Sequence, residues 1–262
     1  MEPINRRTAL ALLGGIGGAG LLAACSDRSG LTTVVDATTS TSTSTSTSTT
    51  AAATSTAAAG AAIPSETQGP YPADGSNGPN VLTDGAIVRQ NLTTSYGSMS
   101  GTATGTPARI LLTVVDASTG SPLPGAAIYL WHCTSTGRYS IYEETDQNYL
   151  RGVQAADDAG RITFDTIFPG CYNGRWPHCH FEVFDDLDAA NAGRSARKVS
   201  QLALPEADCR TVYADASYGN SSNNLDRLSL ARDMVFADGW TDQLATVTAT
   251  ANGWDISLLV RV

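Results

Sequence analysis

The chain has no run of lysine or arginine anywhere in its 262 residues. Asp and Glu (25) outnumber Lys and Arg (16), for a formal charge of −9. Nucleic acid and anionic bilayers are recognised through a concentrated positive footprint, so neither is expected as the main partner. There is no internal repeat, which excludes solenoid and propeller arrays. Histidine is scarce: His132, His178 and His180 are the whole supply. The uncharged run Leu10 to Ala24 is too short and too rich in glycine to be a membrane-spanning helix. What remains is ordinary globular composition, with 42% apolar and 16% charged residues.

The first residues read as an address. Asn5-Arg6-Arg7 precedes the apolar run, the pattern of a secretory signal over residues 1–24. The paired arginines suggest twin-arginine export. That leader carries Glu2, Arg6 and Arg7, so its removal leaves the chain one charge more negative. Leu22-Ala23-Ala24-Cys25 resembles a bacterial lipobox, in which Cys25 is lipidated and becomes the first residue. A plain signal peptide with Cys25 incidental is the alternative. Residues 25–62, nearly all Thr, Ser and Ala from Thr38 to Ala59, bury too little to offset their ordering entropy. They read as a disordered stalk. The expected layout is an exported bacterial protein, lipid-anchored at the cell surface or secreted, with one domain over residues 63–262.

That domain reads as strands separated by turns. Arg109–Val115 is a β-branched run closed by Asp116-Ala-Ser-Thr-Gly120. Ala126–His132 follows Pro124-Gly125. Arg161–Ile167 and His178–Phe184 alternate with period two. Leu244–Ala249 and Ile256–Val260 flank Asn252-Gly253. Short strands at this spacing predict an all-β fold, an antiparallel β-sandwich with long loops and little helix. The stretch Pro205 to Met234 has weaker pattern, with one short helix expected around Asn223–Arg232.

Besides Cys25, four cysteines remain: Cys133, Cys171, Cys179 and Cys209. An even count in an exported chain fits two disulfides. Cys171–Cys209 is the expected pair, with Cys133 and Cys179 either paired or buried as thiols. A structural zinc site is the competing reading, but Cys171-x₇-Cys179 lacks the usual close cysteine pair.

One segment carries chemistry: Pro169-Gly-Cys-Tyr172-Asn-Gly-Arg175-Trp-Pro-His178-Cys-His180. On a strand His178 and His180 share a face, about 6.6 Å apart at Cα. Two imidazoles so placed make a metal clamp, although an isolated pair is more often structural. No Asp or Glu lies close enough in sequence to complete a facial triad. The nearest oxygen donors are Tyr172 and, upstream, Tyr139 and Tyr142. Phenolates are hard anionic ligands, so a His/Tyr set favours Fe(III) over Zn(II). A trivalent ion also supplies the field needed to ionise a phenol whose free pKa is about 10. His132, beside Trp131, reads as structural.

These residues, in this order, resemble the intradiol ring-cleavage dioxygenases, the protocatechuate 3,4- and catechol 1,2-dioxygenases. Thr67-Gln-Gly69-Pro70-Tyr71 resembles the family's T-x-G-P-Y segment, which lines the substrate pocket. Gly137-Arg138-Tyr139 resembles the loop that supplies the first tyrosine ligand. Pro169-Gly-Cys-Tyr172 matches P-G-x-Y, and Arg175-x-x-His178-x-His180 matches R-x-x-H-x-H. Gln201-Leu-Ala-Leu-Pro205 resembles a later Q-L-x-x-P segment.

The resemblance implies one non-haem Fe(III) per chain, held by Tyr139, Tyr172, His178 and His180. It assigns Arg175, Tyr172 and Gln201 catalytic roles and Thr67, Pro70 and Tyr71 contacts to substrate. The implied partners are a small aromatic diol and O₂, and the product a muconate-type diacid. Tyr142 lies three residues after Tyr139 and could exchange with it, although Gly-x-Tyr favours Tyr139. The loop before it, Cys133-Thr-Ser-Thr136, lacks the acidic residue frequent in the family. In place of the long N-terminal helical dimerisation segment of the catechol 1,2-dioxygenases, a leader and stalk are expected, and an oligomer is possible. The alternative function is a cell-surface β-sandwich binding module that keeps the fold without turnover.

Overall fold

A computed structural model describes residues 56–262. The leader, Cys25 and the stalk up to residue 55 lie outside the described residues. The chain already meets the domain before Ile63: the amides of Ala57 and Gly60 donate to the carbonyls of Gly120 and Ala117.

Among the described residues eight strands form two four-stranded sheets. In chain order they are β1 (Pro107–Val115), β2 (Ala127–Trp131), β3 (Arg151–Ala155), β4 (Arg161–Ile167), β5 (His178–Phe184), β6 (Lys198–Ala203), β7 (Thr246–Thr250) and β8 (Gly253–Arg261). One sheet has the order β4-β1-β8-β7 and the other β3-β2-β5-β6. The expected sandwich is present. Its pairing is antiparallel throughout except between β1 and β8, which run parallel.

The core lies between the sheets. Ile110, Leu112 and Val114 of β1 and Ile256 and Val260 of β8 meet Ile128 and Leu130 of β2 and Cys179, Phe181 and Val183 of β5. These sets repeat every second residue, as a pleated face requires. The second sheet is buried on its outer face as well. There Tyr129, Trp131 and Phe184 pack with Leu82, Ile87, Tyr139 and Ala190 into a separate cluster. All seven residues of β5 are therefore buried.

Among the described residues helix is confined to short pieces: α1 (Leu187–Asn191), α2 (Glu206–Val212) and α3 (Ser221–Leu225). The expected helix at Asn223–Arg232 is displaced and broken, with α3 ending at Leu225 and a 3₁₀ turn over Leu230–Arg232.

The expected Cys171–Cys209 disulfide is corrected. Among the described residues Cys133, Cys171, Cys179 and Cys209 are all buried free thiols. Cys171 Sγ donates to the carbonyl of Arg175 at 3.6 Å and Cys133 Sγ to that of Gly170 at 3.4 Å. Burial pushes the Cys171 thiol up to about 12 and Cys179 and Cys209 well above the usual thiol range. These cysteines act as small apolar core residues. Cysteine parity could not foresee that.

Candidate metal centre

Strand register assembles the site on the outer face of the second sheet. His180 of β5 lies opposite Trp131 of β2 on one side and Gln201 of β6 on the other. Directly opposed residues share a face, so the three form one row. The Trp131 indole stacks on the His180 ring, with centroids 5.0 Å apart and planes within 5°.

His178 and His180 bring their Nε2 atoms to 3.0 Å of each other. His178 Nδ1 sits 2.5 Å from the Trp176 carbonyl, which fixes its proton there and leaves the Nε2 lone pair facing inward. Burial, reinforced by the Arg175 charge, pushes His178 down to about 3. Burial and the neighbouring His178 hold His180 well below the usual histidine range. Both rings are therefore neutral near pH 7, the form that ligates metal.

The tyrosines complete the set. Tyr172 places its hydroxyl 3.2 Å from His178 Nε2. The Tyr139 ring stands 5.8 Å from Tyr172 and 6.1 Å from His180. Its buried hydroxyl has no hydrogen-bond partner, and neither has His180 Nδ1. An orphaned buried hydroxyl costs about 1–3 kcal/mol, so such a group needs a reason. Tyr142 is otherwise engaged: its hydroxyl accepts from the amide of Ala73 and donates to the carbonyl of Asn77. Burial raises Tyr139 and Tyr172 above the ordinary phenol value, so a cation is needed to ionise them. Among the described residues no group of three or more His, Cys, Asp and Glu could hold a metal ion. Two neutral imidazoles facing two phenols, one of them unpartnered, fit a hard trivalent cation.

Two glycines let the backbone close on these donors. Gly69, at φ 71°, lies where a Cβ would stand 3.0 Å from His180 Cε1. Gly137, at φ 82°, lies where a Cβ would stand 2.9 Å from Tyr172 Cβ. Gly69 and Gly137 are thus part of the scaffold around His180 and Tyr172.

Arg175 is held on two sides. Its Nε donates to Asp233 Oδ2 at 3.0 Å, and its Nη2 donates to Gln201 Oε1 at 2.7 Å. Gln201 in turn donates to the Thr67 carbonyl at 2.8 Å. Asp233 also accepts from the amides of Trp176 at 2.7 Å and Val235 at 2.9 Å. Burial alone would raise its carboxyl. The hydrogen bonds from Arg175 and those amides outweigh that and hold it below the ordinary aspartate value. Gln201 is therefore seen as a spacer between Arg175 and the 67–71 segment.

A second buried arginine ties the flanking loops together. Arg151 of β3 donates to the Tyr71 and Pro72 carbonyls at 2.8 and 3.1 Å and to Ser140 Oγ and its carbonyl at 3.0 Å each. It joins the segment bearing Tyr71 to the loop bearing Tyr139. The sequence reading missed Arg151, Asp233, Gly69 as a close approach, and Met234.

A cavity of about 510 Å³ opens beside the two tyrosine donors, Tyr139 and Tyr172. Thr67, Pro70, Tyr71, Tyr139, Tyr172 and Arg175 all line it, together with Glu143 and Met234. A cavity of similar size, about 580 Å³, lies beside Arg109 and Asp255 on the first sheet. It contains none of these donors. His132 is structural as read, with Nε2 2.7 Å from Thr166 Oγ1 and Nδ1 2.8 Å from the Cys133 carbonyl.

Comparison with known proteins agrees with this geometry. Residues 77–210, just over half of the chain, match the family model Dioxygenase_C, described as dioxygenase. A catechol 1,2-dioxygenase of Pseudomonas sp. (strain EST1001) is 37% identical over 54 residues, 20% of this chain and 18% of that protein. A chlorocatechol 1,2-dioxygenase of Rhodococcus opacus is 39% identical over 57 residues, 21% of this chain and 22% of that protein. The matched stretches thus span about a fifth of each curated relative. Among solved structures, an intradiol ring-cleavage dioxygenase from Tetranychus urticae superposes with a TM-score of 0.60 at 21% identity, covering 77% of this chain and 94% of that one. At that identity the likeness speaks for the fold.

Proposed function

The chain belongs to the intradiol ring-cleavage dioxygenase family, and from that premise we propose that it is a non-haem Fe(III) enzyme cleaving a catechol between its two hydroxylated carbons with O₂. The product is a muconate-type diacid. The observation that carries this reading is the convergence of His178 Nε2, His180 Nε2 and the Tyr172 hydroxyl beside the orphaned Tyr139 hydroxyl.

Tyr139, Tyr172, His178 and His180 are the residues that would hold one ferric ion. When bound, that ion supplies a site for both catechol oxygens and withdraws electron density from the ring, which makes it reactive toward O₂. Tyr172, only half-buried, would as a phenolate take up a proton from the incoming diol at its oxygen, becoming the neutral phenol. Tyr139, fully buried, would be the more permanent ligand. Arg175 presents a fixed guanidinium beside the ring, where negative charge grows as the substrate carbon is attacked. The Asp233–Arg175–Gln201 chain sets its position before substrate arrives, which is where electrostatic stabilisation is strongest. Thr67, Pro70 and Tyr71 form the opposing wall and exclude water.

Oxygen uptake with catechol, paired with mass analysis of product formed under ¹⁸O₂, tests the assignment. Both labelled atoms in a ring-opened diacid are expected. A hydroxylated or unchanged ring contradicts it. The intact donor set favours this reading over a binding module without turnover.

We also propose, from the pattern around Cys25, that the protein is exported and lipid-anchored. Cys25→Ser should release it from the membrane fraction. Continued retention of that variant would count against the lipobox.

A further inference from the structure

Resting on the dioxygenase reading, we infer that the substrate is a catechol bearing an uncharged, extended apolar substituent, and that Met234 is the residue that selects it. Three observations meet at the mouth of the cavity. First, Met234 is 80% exposed and is the exposed large apolar side chain among the described residues. It also lines the cavity. Its neighbours are pinned: Asp233 is buried and accepts from the amides of Val235 and Phe236, and Phe236 is fully buried. Met234 is thus projected outward from a fixed loop onto the path of any group extending from the ring. A flexible, polarisable thioether at a rim suits apolar groups of varied shape.

Second, the lining offers no spare cation. Its charged members are Arg175 and Glu143. The Arg175 charge is matched by Asp233. Arg138, on the same loop as Tyr139, is paired with Glu144. Glu143 therefore leaves the rim with an unmatched negative charge, on a protein already at −9. A carboxylate on the ring would meet repulsion there and find no free partner. Third, about 510 Å³ falls in the range of sites that enclose drug-sized ligands, and a bare ring diol fills only part of it. Besides Tyr139 and Tyr172, its lining includes Pro70, Tyr71, Glu143 and Met234.

The test is kcat/KM by oxygen uptake on the iron-loaded protein with three probes: catechol, 4-tert-butylcatechol and 3,4-dihydroxybenzoate. The order expected is tert-butylcatechol, then catechol, then dihydroxybenzoate. A fitted apolar contact separates substrates by about tenfold or more per group. Met234→Ser should collapse the tert-butylcatechol-to-catechol ratio toward one. Glu143→Gln keeps an acceptor for the Tyr139 amide, now made by Glu143 at 2.8 Å. It should raise the relative rate on dihydroxybenzoate a few-fold, the scale of an exposed charge interaction. Dihydroxybenzoate preferred by the unmodified protein, or a Met234→Ser ratio equal to that of the parent, overturns the inference while leaving the dioxygenase intact. Absence of turnover with all three probes by iron-loaded protein overturns both.

Discussion

Replacing Asp233 by alanine removes the carboxylate that faces Arg175 and leaves a guanidinium stranded in the protein. The side chains are 10% and 0% exposed, and their nearest atoms are 3.0 Å apart. At an effective dielectric of about 20 the bare attraction is about 5.5 kcal/mol, most of it offset by the desolvation both groups suffer. The loss on deletion is larger than the net worth of the pair, because the remaining charge stays buried. Breaking such a pair costs roughly 3–5 kcal/mol. The Trp176, Val235 and Phe236 amides lose their acceptor as well. For a domain of this size 1 kcal/mol moves Tm by about 2–4 °C, so a fall of about 6–20 °C is expected. Thermal unfolding followed by circular dichroism on iron-loaded protein measures it, with oxygen uptake on the same sample. Arg175 freed from its anchor should also lower kcat far more than it raises KM. A Tm within 2 °C of the parent, with kcat unchanged, would refute the claim that Asp233 sets Arg175; that threshold is roughly half a kcal/mol or more on the scale just used.

Further outcomes follow from the same geometry. The Asp233 carboxyl is held below its ordinary value, so its contribution to stability is complete above about pH 3.9 and is lost as pH falls through the lowered folded value. Urea midpoints from pH 6 down to 3 should therefore drop more steeply for the parent than for Asp233→Asn. Arg175→Gln should keep iron and its visible band yet turn over about 10²-fold more slowly, by analogy with losing one oxyanion donor; full activity with iron bound would remove it from the catalytic set. Gly69→Ala forces a side chain against His180 at positive φ, with a strain of about 1–2 kcal/mol before any clash. Metal titration should show weaker iron retention in that variant. Arg151→Met removes the donors shared by Tyr71, Pro72 and Ser140, and limited proteolysis should then cut the 67–80 segment faster than in the parent.

The four converging donors were legible because they obey short-range rules. His178 and His180 are two apart on a strand, and Tyr172 follows a Pro-Gly turn six residues before. Tyr139 was favoured over Tyr142 by one glycine, Gly137, whose lack of a Cβ turns out to admit Tyr172. Asp233 was not legible, since it meets Arg175 across 58 residues of chain and lies in the stretch with the weakest pattern. Arg151 reaches back about 80 residues to Tyr71. Strands β3 and β6 went unread because each offers few large apolar side chains. Arg151-Gly-Val-Gln-Ala155 buries one such residue, Val153, and Lys198–Ala203 carries Ser200 and Gln201 inward. The parallel β1–β8 pair joins residues far apart in sequence, where no turn fixes a register. The disulfide expectation failed for a different reason: it rested on parity and compartment, whereas all four thiols pack as apolar core.

Whether Tyr139, Tyr172, His178 and His180 together hold ferric iron is tested most directly by the visible spectrum of the purified protein with elemental analysis of the same sample. One iron per chain is expected, with a broad tyrosinate-to-iron band that shifts or weakens in Tyr172→Phe and in Tyr139→Phe. A colourless protein carrying stoichiometric zinc would contradict it.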